Sequence, residues 1–70
     1  MMPLIFSNIG KENVIKRISG FHKTKMELKN FGFINGERIS IISNMNGNLI
    51  VNVKNTRVAI SKEMASKIMV

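Results

Sequence analysis

A single histidine and four glutamates are the residues of this sequence that could ligate a metal ion or carry acid–base chemistry. A protein metal centre usually needs several His, Cys or carboxylate ligands, and His22 has neither a second histidine nor a cysteine to join it. The acids are far apart along the chain, at Glu12, Glu27, Glu37 and Glu63. Paired acid–base work would therefore need the fold to bring two of them together. We expect no catalytic residue, no metal site and no cofactor.

The six methionines and five glycines do not form a ligand motif either. Methionine fills irregular gaps in apolar cores, and this chain has four Phe but no Trp or Tyr to occupy large core positions. A phosphate-cradling loop needs two glycines separated by four residues and followed by Lys and then Ser or Thr, a pattern that is absent. These observations predict a protein that is not an enzyme.

The net charge is strongly positive, at +7 from eleven Lys and Arg against four acids. The basic residues are scattered, and only Lys16 and Arg17 are adjacent. Such a surface suits solubility, an acidic protein or membrane face, or nucleic acid, and the composition leaves these alternatives open. Small barrels that bind nucleic acid usually present exposed aromatic rings for stacking. Because we expect the phenylalanines in the core, we expect no stable nucleic-acid complex.

Seventy residues predict one domain, residues 1–70, with a small core and no disulfide to stabilise it. The opening stretch, MMPLIFSNIG, lacks the basic leading region and the apolar length of an export signal. No stretch approaches the roughly 20 apolar residues of a membrane span. We therefore expect a cytoplasmic protein that is not embedded in a membrane.

One helix is predicted over residues 21–32. Phe21, Leu28 and Phe31 fall at helical spacing and predict a stripe that faces the core. Gly32 follows the last apolar residue and can adopt the left-handed backbone conformation that ends a helix, and Phe33 then lies where it can pack back onto the last turn. The residues on the other side of the helix are expected to be exposed and include Lys23, Lys25, Met26 and Lys29.

Short strands account for most of the remaining chain. The patterns predict strands over residues 13–18, 37–43, 49–53, 56–60 and 68–70, with a bend near Lys16 and a short helical turn capped by Ser61. Turns are expected at Gly36, at Asn46-Gly47 and at residues 54–55. About five short strands, with one helix after the first, predict a mainly β fold arranged as a small barrel.

Four motifs, in this order, resemble the FeoA family along nearly the whole chain. The family's opening pattern is similar to Leu4 through Ile9-Gly10, and its helix ending is similar to Leu28-Lys29-Asn30-Phe31-Gly32-Phe33. Its next turn is similar to Ile34-Asn35-Gly36, and its second half to GNLIVNVKNTRVAISKEMASKIMV, residues 47–70. The chain departs from the family where prolines are replaced, at Ile9, Asn35 and Leu49, and where a basic residue is replaced by Glu27.

The resemblance implies an SH3-like barrel that docks on FeoB, the membrane Fe(II) permease with a cytoplasmic GTP-binding domain, and modulates transport. The candidate contact residues are Lys23, Lys25, Met26 and Lys29, with Arg57 as the next candidate. Gly32, Gly36 and Gly47 are expected to have structural roles in turns. A weak homo-oligomer is left open. The alternatives are a nucleic-acid-binding barrel and a stand-alone homologue of the C-terminal domain of diphtheria-toxin-repressor-type metal regulators, whose DNA-binding half is not part of this chain.

Overall fold

The structure is a computed structural model that describes all 70 residues. A 3₁₀ turn at Leu4–Phe6 comes first. The elements that follow are β1 (Glu12–Val14), β2 (Arg17–Ile18), α1 (His22–Asn30), β3 (Arg38–Met45), β4 (Asn48–Val53), β5 (Thr56–Ser61), α2 (Lys62–Ala65) and β6 (Ile68–Met69). The fold is mainly β with one main helix, as predicted.

The strands form two small antiparallel sheets. The larger sheet has the order β1-β3-β4-β5, and the smaller one pairs β2 with β6. The chain passes from the first sheet to the second between β1 and β2, and no ladder of hydrogen bonds closes the two sheets into a continuous barrel. The chain ends are joined, because Met2 and Val70 exchange two backbone hydrogen bonds of 2.8 Å each.

The predicted first strand is split into β1 and β2, which confirms the bend expected near Lys16. Ile15, between the two strands, is the side chain of this segment that enters the core. Its N–H donates to the Glu37 carbonyl at 2.9 Å, and its carbonyl accepts from the Gly36 N–H at 2.7 Å. The bend is therefore held against the turn that precedes β3.

Alternation along β3, β4 and β5 supplies half of the core. The inward residues are Ile39, Ile41, Leu49, Val51, Val53 and Ile60. Two-residue turns connect these strands, and positive φ angles at Asn46, Gly47, Lys54 and Asn55 give both turns the twist that hairpins favour. Ile42 is the extra residue of a bulge in β3, since Ile41 pairs with Val51 but Ser43 pairs with Ile50.

The predicted aromatic stripe of the helix is wrong. All 13 buried residues are apolar, yet Phe21 is 84% exposed and Phe31 is 60% exposed, and only Leu28 of the predicted stripe is buried. The helix begins at His22 and ends at Asn30, so both phenylalanines lie at its ends, beyond the single turn that meets the core. The aromatic ring of the core comes instead from Phe33, which is 1% exposed.

The end of α1 explains how Phe33 reaches the core. The Phe33 N–H donates to the Leu28 carbonyl at 3.0 Å, and the Gly32 N–H donates to the Lys29 carbonyl at 3.0 Å. These two bonds, with a positive φ at Gly32 (+96°), form a Schellman motif, which turns the chain back onto the last helical turn. Leu28 and Phe33 then belong to the same buried cluster.

We expect Gly32→Ala to lower the free energy of unfolding by about 1 kcal/mol or more, because a β-carbon strains the backbone at this φ. The added atom would lie 3.6 Å from Cδ of Lys54, which is an ordinary contact, so the loss would come from the backbone conformation. Urea unfolding measures the change. Asn30→Ala, an exposed change in the last turn of the helix, is the control and should not destabilise the protein. Equal stability of the two variants would contradict this account of the helix end.

Candidate docking groove beside helix α1

An open groove lies between α1 and β2, and the backbone connections on both sides of the helix fix its walls. Before α1, the Ser19 N–H donates to the Lys67 carbonyl at 2.7 Å, which holds the end of β2 against the C-terminal segment. After α1, the Gly32 turn leads into Phe33 and Ile34. The Glu37 N–H donates to the Ile34 carbonyl at 3.1 Å, so the chain turns again at Gly36.

The groove has a volume of about 570 Å³ and combines apolar and cationic side chains. Its principal lining residues are Arg17, Ile18, Lys25, Lys29, Phe33 and Ile34. Phe33 is buried and the two isoleucines are half-buried, whereas the three cations are exposed. The apolar side chains therefore lie deeper than the charged ones, and the groove has an apolar floor with a basic rim.

The charges on the rim are not neutralised within the protein. No acidic side chain lines the groove. The structure contains a single ion pair, between Arg38 Nε and Glu12 Oε1 at 3.8 Å, and both of its side chains are largely exposed. Lys25 and Lys29 are four residues apart on α1, which places their β-carbons roughly 5–6 Å apart on one helix face. The groove therefore presents an uncompensated positive potential above an apolar floor.

The structure brings together only part of the predicted contact set. Lys25 and Lys29 line the groove, whereas Lys23 and Met26 are exposed on α1 but do not line it. Arg57 is exposed on β5, which belongs to the four-stranded sheet, whereas the groove borders β2 of the two-stranded sheet. The predicted residues are all accessible, but only Lys25 and Lys29 line the groove.

Sequence reasoning did not find Arg17, Ile18 and Ile34 as part of this site. In the sequence, Arg17 stands out only as the neighbour of Lys16, and Ile18 and Ile34 fall in a predicted strand and a predicted turn. No spacing along the chain relates β2 to the face of α1. The composition of α1 did indicate an exposed basic surface, because its first turn has no acidic residue and few of its residues are apolar.

Other features of the surface offer less specific chemistry. A smaller polar cleft of about 220 Å³ contains two acids, Glu12 and Glu37, and two bases, Arg38 and Lys54, so its charges balance. No group of three or more His, Asp or Glu side chains is close enough to hold a metal ion. Neither helix has the length and hydrophobicity that a transmembrane helix requires.

The two small sheets, the single main helix and the groove beside it define the class of the protein as a small SH3-like β domain. Within that class, a model of the FeoA domain matches residues 2–70. The chain belongs to the FeoA family. This is a family of small accessory proteins of iron transport and not of enzymes, which confirms the family prediction and the prediction of a non-enzymatic protein.

Similar proteins support both the family and the fold. The chain is 34% identical over 70 residues to a Methanocaldococcus jannaschii protein provisionally named Fe(2+) transport protein A, covering 100% of this chain and 85% of that relative. It is similar to the crystal structure of an iron uptake regulatory protein, FeoA, with a TM-score of 0.88 and 29% identity over 97% of this chain and 90% of the other. Stenotrophomonas maltophilia FeoA, solved with zinc and described as a procaryotic SH3 domain protein, gives a TM-score of 0.87 at 21% identity, with 99% and 88% of the two chains covered. That likeness supports the predicted SH3-like fold.

Proposed function

We propose that this protein assists ferrous-iron uptake by docking on the cytoplasmic GTP-binding part of a FeoB-type Fe(II) permease and altering its conformation. Membership of the FeoA family supports the role in iron transport. The observation that carries the docking proposal is the uncompensated basic face of α1, where Lys25 and Lys29 meet Arg17 beside apolar residues. Rim charges of this kind mainly steer association and select an acidic partner, while apolar contacts supply more of the lasting affinity.

Reversing both charges with Lys25→Glu and Lys29→Glu tests the proposal. We expect binding to the cytoplasmic domain of the permease to weaken by about tenfold or more, a loss of about 1.4 kcal/mol, because repulsion replaces attraction at both positions. Fe(II) uptake by cells carrying the variant should fall in parallel. Both side chains are exposed, and an acid in the last turn of α1 should reduce stability by about 1 kcal/mol at most.

The matched control is Lys11→Glu with Lys62→Glu, which changes the net charge equally at exposed positions outside both the groove and α1. The control should retain most of the binding and support uptake. If the variant at Lys25 and Lys29 stays folded, binds the permease normally and supports normal uptake, the docking face lies elsewhere. Arg57 on β5 is then the next position to reverse.

Binding of single-stranded nucleic acid is a second candidate, and one observation favours it. The sequence argument against it assumed buried phenylalanines, but Phe6, Phe21 and Phe31 are exposed and could stack on bases. Titration with an oligonucleotide at several salt concentrations separates the candidates. Contacts to several phosphates would make the affinity fall steeply as salt rises, and replacement of the exposed phenylalanines would weaken it further.

A further inference from the structure

The groove between α1 and β2 is more selective than a basic surface alone. Three cations on its rim, Arg17, Lys25 and Lys29, would attract any polyanion. Its floor adds a second requirement, because Ile18 and Ile34 offer accessible apolar surface, whereas Phe33 beneath them is 1% exposed and presents no aromatic face. A ligand that gains from both features needs negative charges and an aliphatic side chain close together.

We propose that the groove binds an acidic protein segment in an extended conformation, with a Leu or Ile side chain entering the floor and flanking carboxylates meeting the rim. This inference gives the chemistry of the segment that binds the groove. It rests on the proposed docking function, which says which protein supplies that segment. Phosphates of a nucleic acid would meet the cations but leave the apolar floor uncovered. The same holds for the headgroups of a lipid bilayer, because the acyl chains lie buried beneath the phosphates and are not presented to the groove.

The spacing of the lysines suits such a segment. Residues i and i+2 of an extended chain lie roughly 6.6 Å apart on one side, and the residue between them points to the other side. This separation is close to the roughly 5–6 Å between the β-carbons of Lys25 and Lys29. Two carboxylates could then face α1 while the intervening aliphatic side chain faces the isoleucines. The recognition pattern is therefore acid–aliphatic–acid.

Three capped peptides of the same length test this pattern against the isotopically labelled protein by NMR. The first alternates Asp and Leu, the second replaces each Asp with Asn, and the third replaces each Leu with Ala. We expect the first to bind, with chemical-shift changes concentrated at Ile18, Lys25, Lys29 and Ile34. Each of the other two should bind at least about tenfold more weakly, since each lacks one of the two complementary features.

Protein variants supply the matching controls. Lys25→Glu with Lys29→Glu should remove binding of the Asp–Leu peptide, and Lys11→Glu with Lys62→Glu should preserve it. Equal binding of the Asp–Leu and Asp–Ala peptides would overturn the proposal, because the groove would then recognise charge alone. Tighter binding of a single-stranded oligonucleotide, or of anionic vesicles, than of the Asp–Leu peptide would also overturn it, as would shift changes that lie outside the groove.

A competition experiment separates this inference from the proposed function. The Asp–Leu peptide should displace the cytoplasmic domain of the permease from the protein, whereas the Asn–Leu peptide should not. If the permease domain binds but the peptide neither binds nor competes, the groove inference fails and the docking function stands. If the peptide binds the groove and the permease domain does not bind the protein, the docking function fails and the recognition of acidic segments stands.

Discussion

Replacement of Phe33 with alanine is expected to lower the free energy of unfolding by about 3–5 kcal/mol. Phe33 is 1% exposed and is the largest of the fully buried side chains. A chain of this length has a total stability of about 3.5–10.5 kcal/mol, at about 0.05–0.15 kcal/mol per residue. The variant should therefore lose between about a third and all of the stability of the protein, and urea unfolding followed by far-UV circular dichroism would measure the loss.

The matched control is Phe21→Ala, which removes the same ring from an exposed position. Its stability should stay within about 0.5 kcal/mol of the parent, as is usual for surface changes. If Phe33→Ala does not fold, Phe33→Leu keeps much of the apolar volume and should show a smaller loss of the same sign. If Phe21→Ala lowers the free energy of unfolding as much as Phe33→Ala does, Phe21 is buried as the helical spacing predicted, and the structure is contradicted.

Leu28→Ala is expected to lower the free energy of unfolding by about 2–5 kcal/mol, the range for a buried leucine. Leu28 is the only buried residue of α1, so no other side chain of the helix can compensate for its loss. Because Lys25 and Lys29 lie on this helix, loosening α1 should also disorganise the groove. Amide hydrogen exchange would report the loosening, with protection lost in α1 at least as strongly as in β3, β4 and β5.

Met26→Ala is the control for Leu28→Ala, because Met26 lies two residues away on the same helix and is 43% exposed. It should cost clearly less stability than Leu28→Ala, since Met26 keeps 43% of its surface exposed whereas Leu28 keeps none. Binding of the acidic peptide should survive Met26→Ala and weaken in Leu28→Ala. Unchanged stability and exchange in Leu28→Ala would mean that α1 is held by contacts other than its one buried residue.

The sequence by itself determined the features that depend on neighbouring residues. Alternation predicted the inward faces of β3 and β4, and Asn46-Gly47 predicted the hairpin between them. Ser61 was predicted to cap the C-terminal helical turn, and its Oγ accepts a hydrogen bond from the Met64 N–H at 3.1 Å. Each of these depends on backbone angles or side chains within a few residues, so a short stretch of sequence contains the whole cause.

The tertiary structure decided which side of the helix meets the core and which residues share the groove. Helical spacing relates Phe21, Leu28 and Phe31, but it does not say how many turns of α1 lie against the sheets. In the structure one turn does, and the ring that fills the core comes from Phe33, whose position after the chain reversal at Gly32 is predicted from the local sequence. Arg17 lines the same groove as Lys25 and Lys29, although no periodicity relates β2, which pairs with β6, to α1. Contacts between different elements depend on how the whole chain packs, and the periodicity within one element carries no information about them.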